Sequence, residues 1–148
     1  MDFAELREGK LDADFVLFSA DVTGLKTVND TMGHAAGDDL IIGAADCMTQ
    51  AIGQAGKVFR IGGDEFMAIV HTDSPESIRE DINTITSKWR GVHVDKLVLA
   101  VGYASSADHP DATVDDLEHI ADADMYAEKN RYYRESGIDR RRSARIDS

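Results

Sequence analysis

The order of apolar segments predicts an α/β sandwich, with a mostly antiparallel sheet carrying helices on its faces, closer to a ferredoxin-like palm than to a doubly wound sheet. Three observations carry this. Four short runs, Phe15–Ala20, Val58–Ile61, Phe66–Val70 and Leu97–Ala104, have the β-branched and aromatic content that strands favour. The stretches between them repeat apolar residues at helical spacing. The second and third runs are separated only by Gly62-Gly63-Asp64-Glu65, which is too short for a crossover and so joins them as an antiparallel hairpin.

Each element has its own local reason. Most strand runs are continuous rather than alternating, as expected of strands covered by helices on at least one face. Ile41, Ala45, Met48 and Ile52 recur at spacings of four, three and four, and so form one face of a helix. Ile78, Ile82, Ile85 and Trp89 repeat that pattern, with Ser74 as N-cap and Pro75 in the first turn. Val114, Leu117, Ala121 and Met125 follow Thr113-Val114-Asp115-Asp116, a capping box with aspartate in place of glutamate. These stripes read as core faces. The sequence contains no internal repeat and no low-complexity segment.

The chain has 148 residues with 28 acidic and 16 basic side chains, a net charge of −12. That length suits one domain, and 43% hydrophobic with 30% charged residues is ordinary globular composition. The acidic balance argues against a nonspecific nucleic-acid coat, which needs a positive surface to release counterions. Cys47 is the only cysteine, so an internal disulfide is excluded. No apolar run approaches the roughly 18 residues of a membrane span, so membrane insertion is not expected and a cytoplasmic location is. The charge is uneven: residues 129–148 hold seven basic and three acidic side chains. Residues 137–148, with Arg140, Arg141, Arg142 and Arg145, read as a frayed basic tail beyond a single domain over 1–136.

The chemistry gathers at strand ends. Asp21 follows the first strand, and Asp64 and Glu65 stand on the hairpin tip, so the three carboxylates can converge. Clustered carboxylates repel, and such a site either raises one pKa or holds a cation. Oxygen donors without a Cys/His cluster favour Mg²⁺ or Mn²⁺, whose remaining ligands are commonly water and substrate phosphates. The alternative is that Gly62-Gly63-Asp64 is only a hairpin turn selected for positive φ, and spacing alone does not separate the two. The usual phosphate-loop motifs are absent. A turn at Val22-Thr23-Gly24-Leu25-Lys26 leads into a helix whose N-terminal N–H groups can bind phosphate, with Gly24 permitting close approach.

Here three segments resemble one family. Phe59-Arg60-Ile61-Gly62-Gly63-Asp64-Glu65-Phe66 contains the literal signature of the GGDEF family, the diguanylate cyclases. Asp21-Val22-Thr23-Gly24-Leu25-Lys26-Thr27-Val28-Asn29-Asp30-Thr31-Met32-Gly33-His34-Ala35-Ala36-Gly37-Asp38 resembles its D-x-D-x-F-K-x-x-N-D-x-x-G-H-x-x-G-D segment. Ala121-Asp122-Ala123-Asp124-Met125-Tyr126-Ala127-Glu128-Lys129 resembles its A-D-x-A-M-Y-x-A-K helix. The three occur in family order between residue 15 and about residue 134.

The resemblance implies a nucleotidyl-cyclase-like palm that condenses two GTP into cyclic di-GMP with release of pyrophosphate. Two GTP-loaded subunits would face each other as a homodimer, and each 3′-hydroxyl would attack the other α-phosphate. It implies Asp21, Asp64 and the Val22 carbonyl as ligands of Mg²⁺ or Mn²⁺, with Asp64 or Glu65 as acid/base. Asn29 and Asp38 would read guanine, with His34 in the same pocket and Gly24 and Leu25 lining the substrate. A carboxylate accepts from guanine N1–H and the 2-amino group, an arrangement adenine does not present. Lys26 would act in catalysis and Lys129 in binding, both neutralising the triphosphate and the charge on the transferred phosphoryl group.

The departures are specific. Thr23 stands for a second aspartate and Leu25 for a phenylalanine. Tyr133 occupies the position of a phosphate-binding arginine, leaving Arg131 or Arg134 as replacements. Gly53-Gln54-Ala55-Gly56 replaces the R-x-x-D of the product-inhibition site, which implies no feedback through it. Only Met1–Asp14 precede the first strand, a shortened opening that fits an output domain behind a separate N-terminal sensor. Two other readings stand beside the cyclase: a non-catalytic GTP-binding regulatory module, and a palm cyclase using another nucleotide. Retention of Asp21, Asp64 and Glu65 disfavours the first, and Asn29 with Asp38 disfavours the second.

Overall fold

The computed structural model describes residues 11–135. The element order is β1 (Phe15–Val22), α1 (Leu25–Met32), α2 (His34–Ile52), a 3₁₀ turn (Gly53–Ala55), β2 (Gly56–Arg60), β3 (Glu65–His71), α3 (Pro75–Lys88), β4 (Leu99–Ser105) and α4 (Val114–Glu135). The sheet runs β2-β3-β1-β4, and every pairing is antiparallel. This is the expected ferredoxin-like sandwich. The basic tail over 137–148 and the opening residues 1–10 lie outside the described residues.

β1 is the central strand, and all eight of its residues are buried. Its two faces part company with the period of a strand. Val16, Phe18, Ala20 and Val22 join the core beneath α2 and α3, with Leu40, Met48 and Ile82. Phe15 and Leu17 face the other way and pack beneath α4 with Met67, Val114, Leu117 and Ala121. Double burial explains why the run is continuously apolar. Truncating a side chain such as Phe18, fully buried here, typically costs roughly 3–5 kcal/mol. β2, at the sheet edge, is half-buried to exposed throughout.

Helix termini follow the sequence with one correction. At α4, Thr113 N donates to the Asp116 carboxylate at 3.0 Å and Asp116 N donates to Thr113 Oγ1 at 3.1 Å, the reciprocal capping box. At α3, Pro75 opens the helix as expected, but Ser74 makes no side-chain cap. Its hydroxyl is instead turned to Asp73, donating to Oδ1 at 3.2 Å.

The strand ends also shift slightly. β2 begins at Gly56 because its pairing with Val70 extends the ladder before the apolar run. β4 begins at Leu99, and just before it Val98 O accepts from Thr23 N at 2.9 Å. That bond ties the β1–α1 turn to the entry of β4. α1 and α2 meet at Gly33 alone, whose φ of +90° is open to glycine at little cost. The sharp bend lays α1 against the first turn of α2, and a Cβ at Gly37 would overlap the Asn29 side-chain oxygen.

Candidate active site

The site forms where β1 ends beside the β2–β3 hairpin. Antiparallel register sets Asp21 opposite Glu65, and Val22 N donates to the Asp64 carbonyl at 2.9 Å. The turn is closed by Ile61 N donating to Glu65 O at 3.0 Å. Arg60 further braces it, its guanidinium donating to Gly62 O at 3.2 Å and Gly63 O at 2.8 Å.

The alternative that Gly62-Gly63-Asp64 is a turn selected for positive φ fails: positive φ among the described glycines occurs at Gly24, Gly33 and Gly53. A Cβ at Gly62 or Gly63 would also meet nothing within 4 Å. Neither conformation nor internal packing therefore requires glycine at either position. A bare backbone facing open space suits the close approach of something outside the chain.

Asp21 is the electrostatic centre. It is 5% exposed, and its Oδ2 accepts from Lys129 Nζ at 2.8 Å. Its Oδ1 is buried with no hydrogen-bond partner among the described residues. Asp64 stands next to Asp21, its carbonyl accepting from Val22 N, and its carboxyl repels the charged form of Asp21. Burial raises the Asp21 carboxyl to about 6; the Lys129 bond opposes this, and Asp64 adds to it. Burial alone would lower the Lys129 ammonium, but the bond to Asp21 outweighs that and leaves it raised. The orphaned oxygen, the adjacent Asp64 carboxylate and the nearby Val22 backbone form a hard oxygen donor set that fits a small divalent cation. Glu65 is exposed beside them rather than enclosed with them.

The remaining predicted residues fall in two groups. Gly24, at φ +79°, turns the chain into α1, whose N-terminus has no side-chain cap and no acidic residue in its first turn. Leu25 is half-buried against the core and Lys26 is exposed on the first turn. Asn29, on α1, lies against Gly37, the residue before Asp38, and Asp38 itself is exposed. His34 is exposed at the start of α2.

Several contributing residues were not found by sequence reasoning. Ser19 Oγ donates to Asp122 at 2.5 Å, and Tyr103 N donates to Asp124 at 3.1 Å. Arg79 reaches from α3 to Asp124 at 3.0 Å and to Glu76 at 2.6 Å, and stacks over Tyr103 at 4.7 Å. Together these fix α4 along β1 and β4 so that Lys129 reaches Asp21. The one available signal was Ser19, a hydroxyl inside an apolar run that needs a buried partner. Asp124 and Glu128, which takes part in the Arg79 cluster, stand where the resembling motif has alanine.

A cavity of about 380 Å³ opens beside Gly24, and Thr23, Thr27, Lys96, Tyr132 and Tyr133 are among its lining residues. Neither Arg131 nor Arg134 lines it. Arg131 is held by Glu128 and Glu135, and Arg134 is exposed on the last turn. A second cluster, Asp12, Asp14 and His71, brings three possible metal-ligand atoms within 4.8 Å of one another, but at the opposite end of β1 and exposed.

Comparison with known proteins gives a consistent picture. A family model described as "Diguanylate cyclase, GGDEF domain" matches residues 4–134. Diguanylate cyclase DgcN of Escherichia coli is 31% identical over 77% of this chain and 29% of its own length. Diguanylate cyclase DosC of E. coli is 33% identical over 75% of this chain and 25% of its own length. The chain thus spans between a quarter and a third of these relatives. The crystal structure of the GGDEF domain of YfiN (TpbB) from Pseudomonas aeruginosa superposes with a TM-score of 0.75 at 26% identity, covering 86% of each chain. Among the described residues, no helix is long and apolar enough to cross a membrane.

Proposed function

This chain belongs to the GGDEF family, and from that premise we propose that it condenses two GTP into cyclic di-GMP and pyrophosphate across a homodimer. The observation that carries the reading is the convergence of Asp21, Asp64 and Lys129 beside an open glycine hairpin and an uncapped helix N-terminus. The working unit runs over residues 1–136 and acts in the cytoplasm, where GTP is supplied, with its input from a sensor elsewhere in the protein.

Asp21 and Asp64, joined by the Val22 carbonyl, would hold Mg²⁺ or Mn²⁺, which when bound would supply charge neutralisation and make a hydroxyl easier to deprotonate. The chain's own groups do the rest. N–H groups at the Gly24–Leu25 turn orient the triphosphate. Lys26 and Lys129 balance its charge as the phosphoryl group transfers. Asp64 or Glu65 takes the hydroxyl proton, and Glu65 is free to do so because it is exposed beside the carboxylate pair. Asn29 and Asp38 pair with guanine, His34 assists them, and Gly24 and Leu25 line the substrate. An adenine there would offer Asp38 neither the N1–H nor the 2-amino donor.

Each subunit holds one GTP, so neither nucleotide has an attacking partner until two subunits meet. Positioning across that interface converts an encounter of two nucleotides into a reaction within one complex. Incubation of the purified chain with GTP and Mg²⁺, with ATP in parallel, should yield cyclic di-GMP from GTP alone. Asp64→Ala should abolish the product. An intact dimer giving no product overturns catalysis, and tight GTP binding without turnover would make the chain a regulatory module instead.

A further inference from the structure

We infer that Lys129 is the resident counterion of the carboxylate site and competes with the divalent cation for Asp21, so that nucleotide must draw it away before metal binds tightly. This rests on the reading of Asp21 and Asp64 as the metal site.

Lys129 is seated rather than loosely associated. Its side chain is 16% exposed, and its ammonium lies 2.8 Å from an Asp21 carboxylate that is itself 6% exposed. The helix that carries it is held in register. Ser19 fixes Asp122, Tyr103 N and Arg79 fix Asp124, and the α4 backbone at Ala121 and Met125 packs directly on Gly102. Lys129 therefore leaves Asp21 only by swinging its own side chain.

Only one end of Asp21 is neutralised in this arrangement. Oδ2 is bound by the ammonium while Oδ1 has no partner. A divalent ion on Oδ1 and Asp64 would sit beside that ammonium in a poorly hydrated place, where like charges repel strongly. Without nucleotide the site keeps its lysine and takes metal weakly. The alternative anion for Lys129 is close. Tyr133, one turn further along α4, lines the cavity beside Thr23 and Gly24, where the triphosphate is proposed to enter. A phosphate there gives the ammonium a second partner and frees Asp21. Metal and nucleotide then strengthen each other's binding reciprocally, as linkage requires.

The test is Mn²⁺ binding to the nucleotide-free chain, followed by the electron paramagnetic resonance signal of the free ion. Lys129→Met should bind Mn²⁺ at least about tenfold more tightly than the unaltered chain, since a competing cation is removed. Lys129→Arg, which keeps the charge, should stay within about twofold. The gain should vanish in Lys129→Met/Asp21→Asn, while any weak binding at Asp12, Asp14 and His71 persists in all variants. If removing the lysine destabilises the fold, the rise of Tm with Mn²⁺ still reports the same order of affinities. Equal or weaker binding by Lys129→Met, with Asp21→Asn alone losing Mn²⁺, overturns the competition and leaves the metal site standing. A gain that survives Asp21→Asn overturns both.

Discussion

Replacing Asp21 with asparagine should flatten a slope in the pH dependence of stability. The Asp21 carboxyl sits at about 6 in the fold against 3.8 for the unperturbed group, because burial disfavours its charged form more than Lys129 favours it. The native state therefore holds this proton over a range where the unfolded chain has released it. Stability from this group is complete below about pH 4 and falls as pH rises through about 6. A shift of about two units corresponds to about 3 kcal/mol. Most of that should be lost between pH 4 and pH 7 in the metal-free protein, and Asp21→Asn cannot lose it. Urea unfolding of both proteins in chelator, at intervals from pH 4 to 7.5, measures the difference directly. The variant's stability relative to the unaltered chain should rise by about 2–3 kcal/mol across that range, or roughly 5–10 °C in Tm for a chain of this size. A difference that stays constant with pH would refute the argument that burial governs Asp21.

Three further outcomes follow from backbone packing and caps. Gly37→Ala drives a Cβ into the Asn29 amide, a flexible group that can yield. It should raise KM for GTP roughly tenfold while leaving Tm nearly unchanged, as steady-state kinetics and melting will show. Gly102→Ala instead meets backbone, with Ala121 O at 2.5 Å, and must lift α4 from β4. It should cost about 2–3 kcal/mol in urea and weaken the Lys129–Asp21 contact. Thr113→Ala removes one half of the α4 capping box and should cost about 1 kcal/mol, with Asp116→Ala adding less than its own single effect.

Much of the fold was legible because its signals are local. The burial of β1 on both faces imposes a continuous apolar run, the helical stripes mark their own core faces, and the hairpin needs only four linking residues. The capping box at Thr113 is likewise a pattern within four residues. Ser74 shows where local reading stops: it stands at the N-cap position, but whether its oxygen faces the helix N–H groups depends on the side-chain rotamer, which here turns the hydroxyl to Asp73. The glycine pair at the hairpin was legible as special, and the backbone conformation then removed one of the two reasons that spacing had left open.

By itself the sequence determined the order of elements, the family signature and the identity of the carboxylates that chemistry would need. Only the tertiary structure decided their state. Asp21 and Lys129 are 108 residues apart, and no spacing rule couples them. Their pairing depends on α4 lying along β1, which in turn depends on Ser19, Gly102, Tyr103 and Arg79 from three other elements. Charge that is merely acidic in composition becomes a half-neutralised, buried carboxylate because the fold removes water from one of its oxygens and supplies an ammonium to the other.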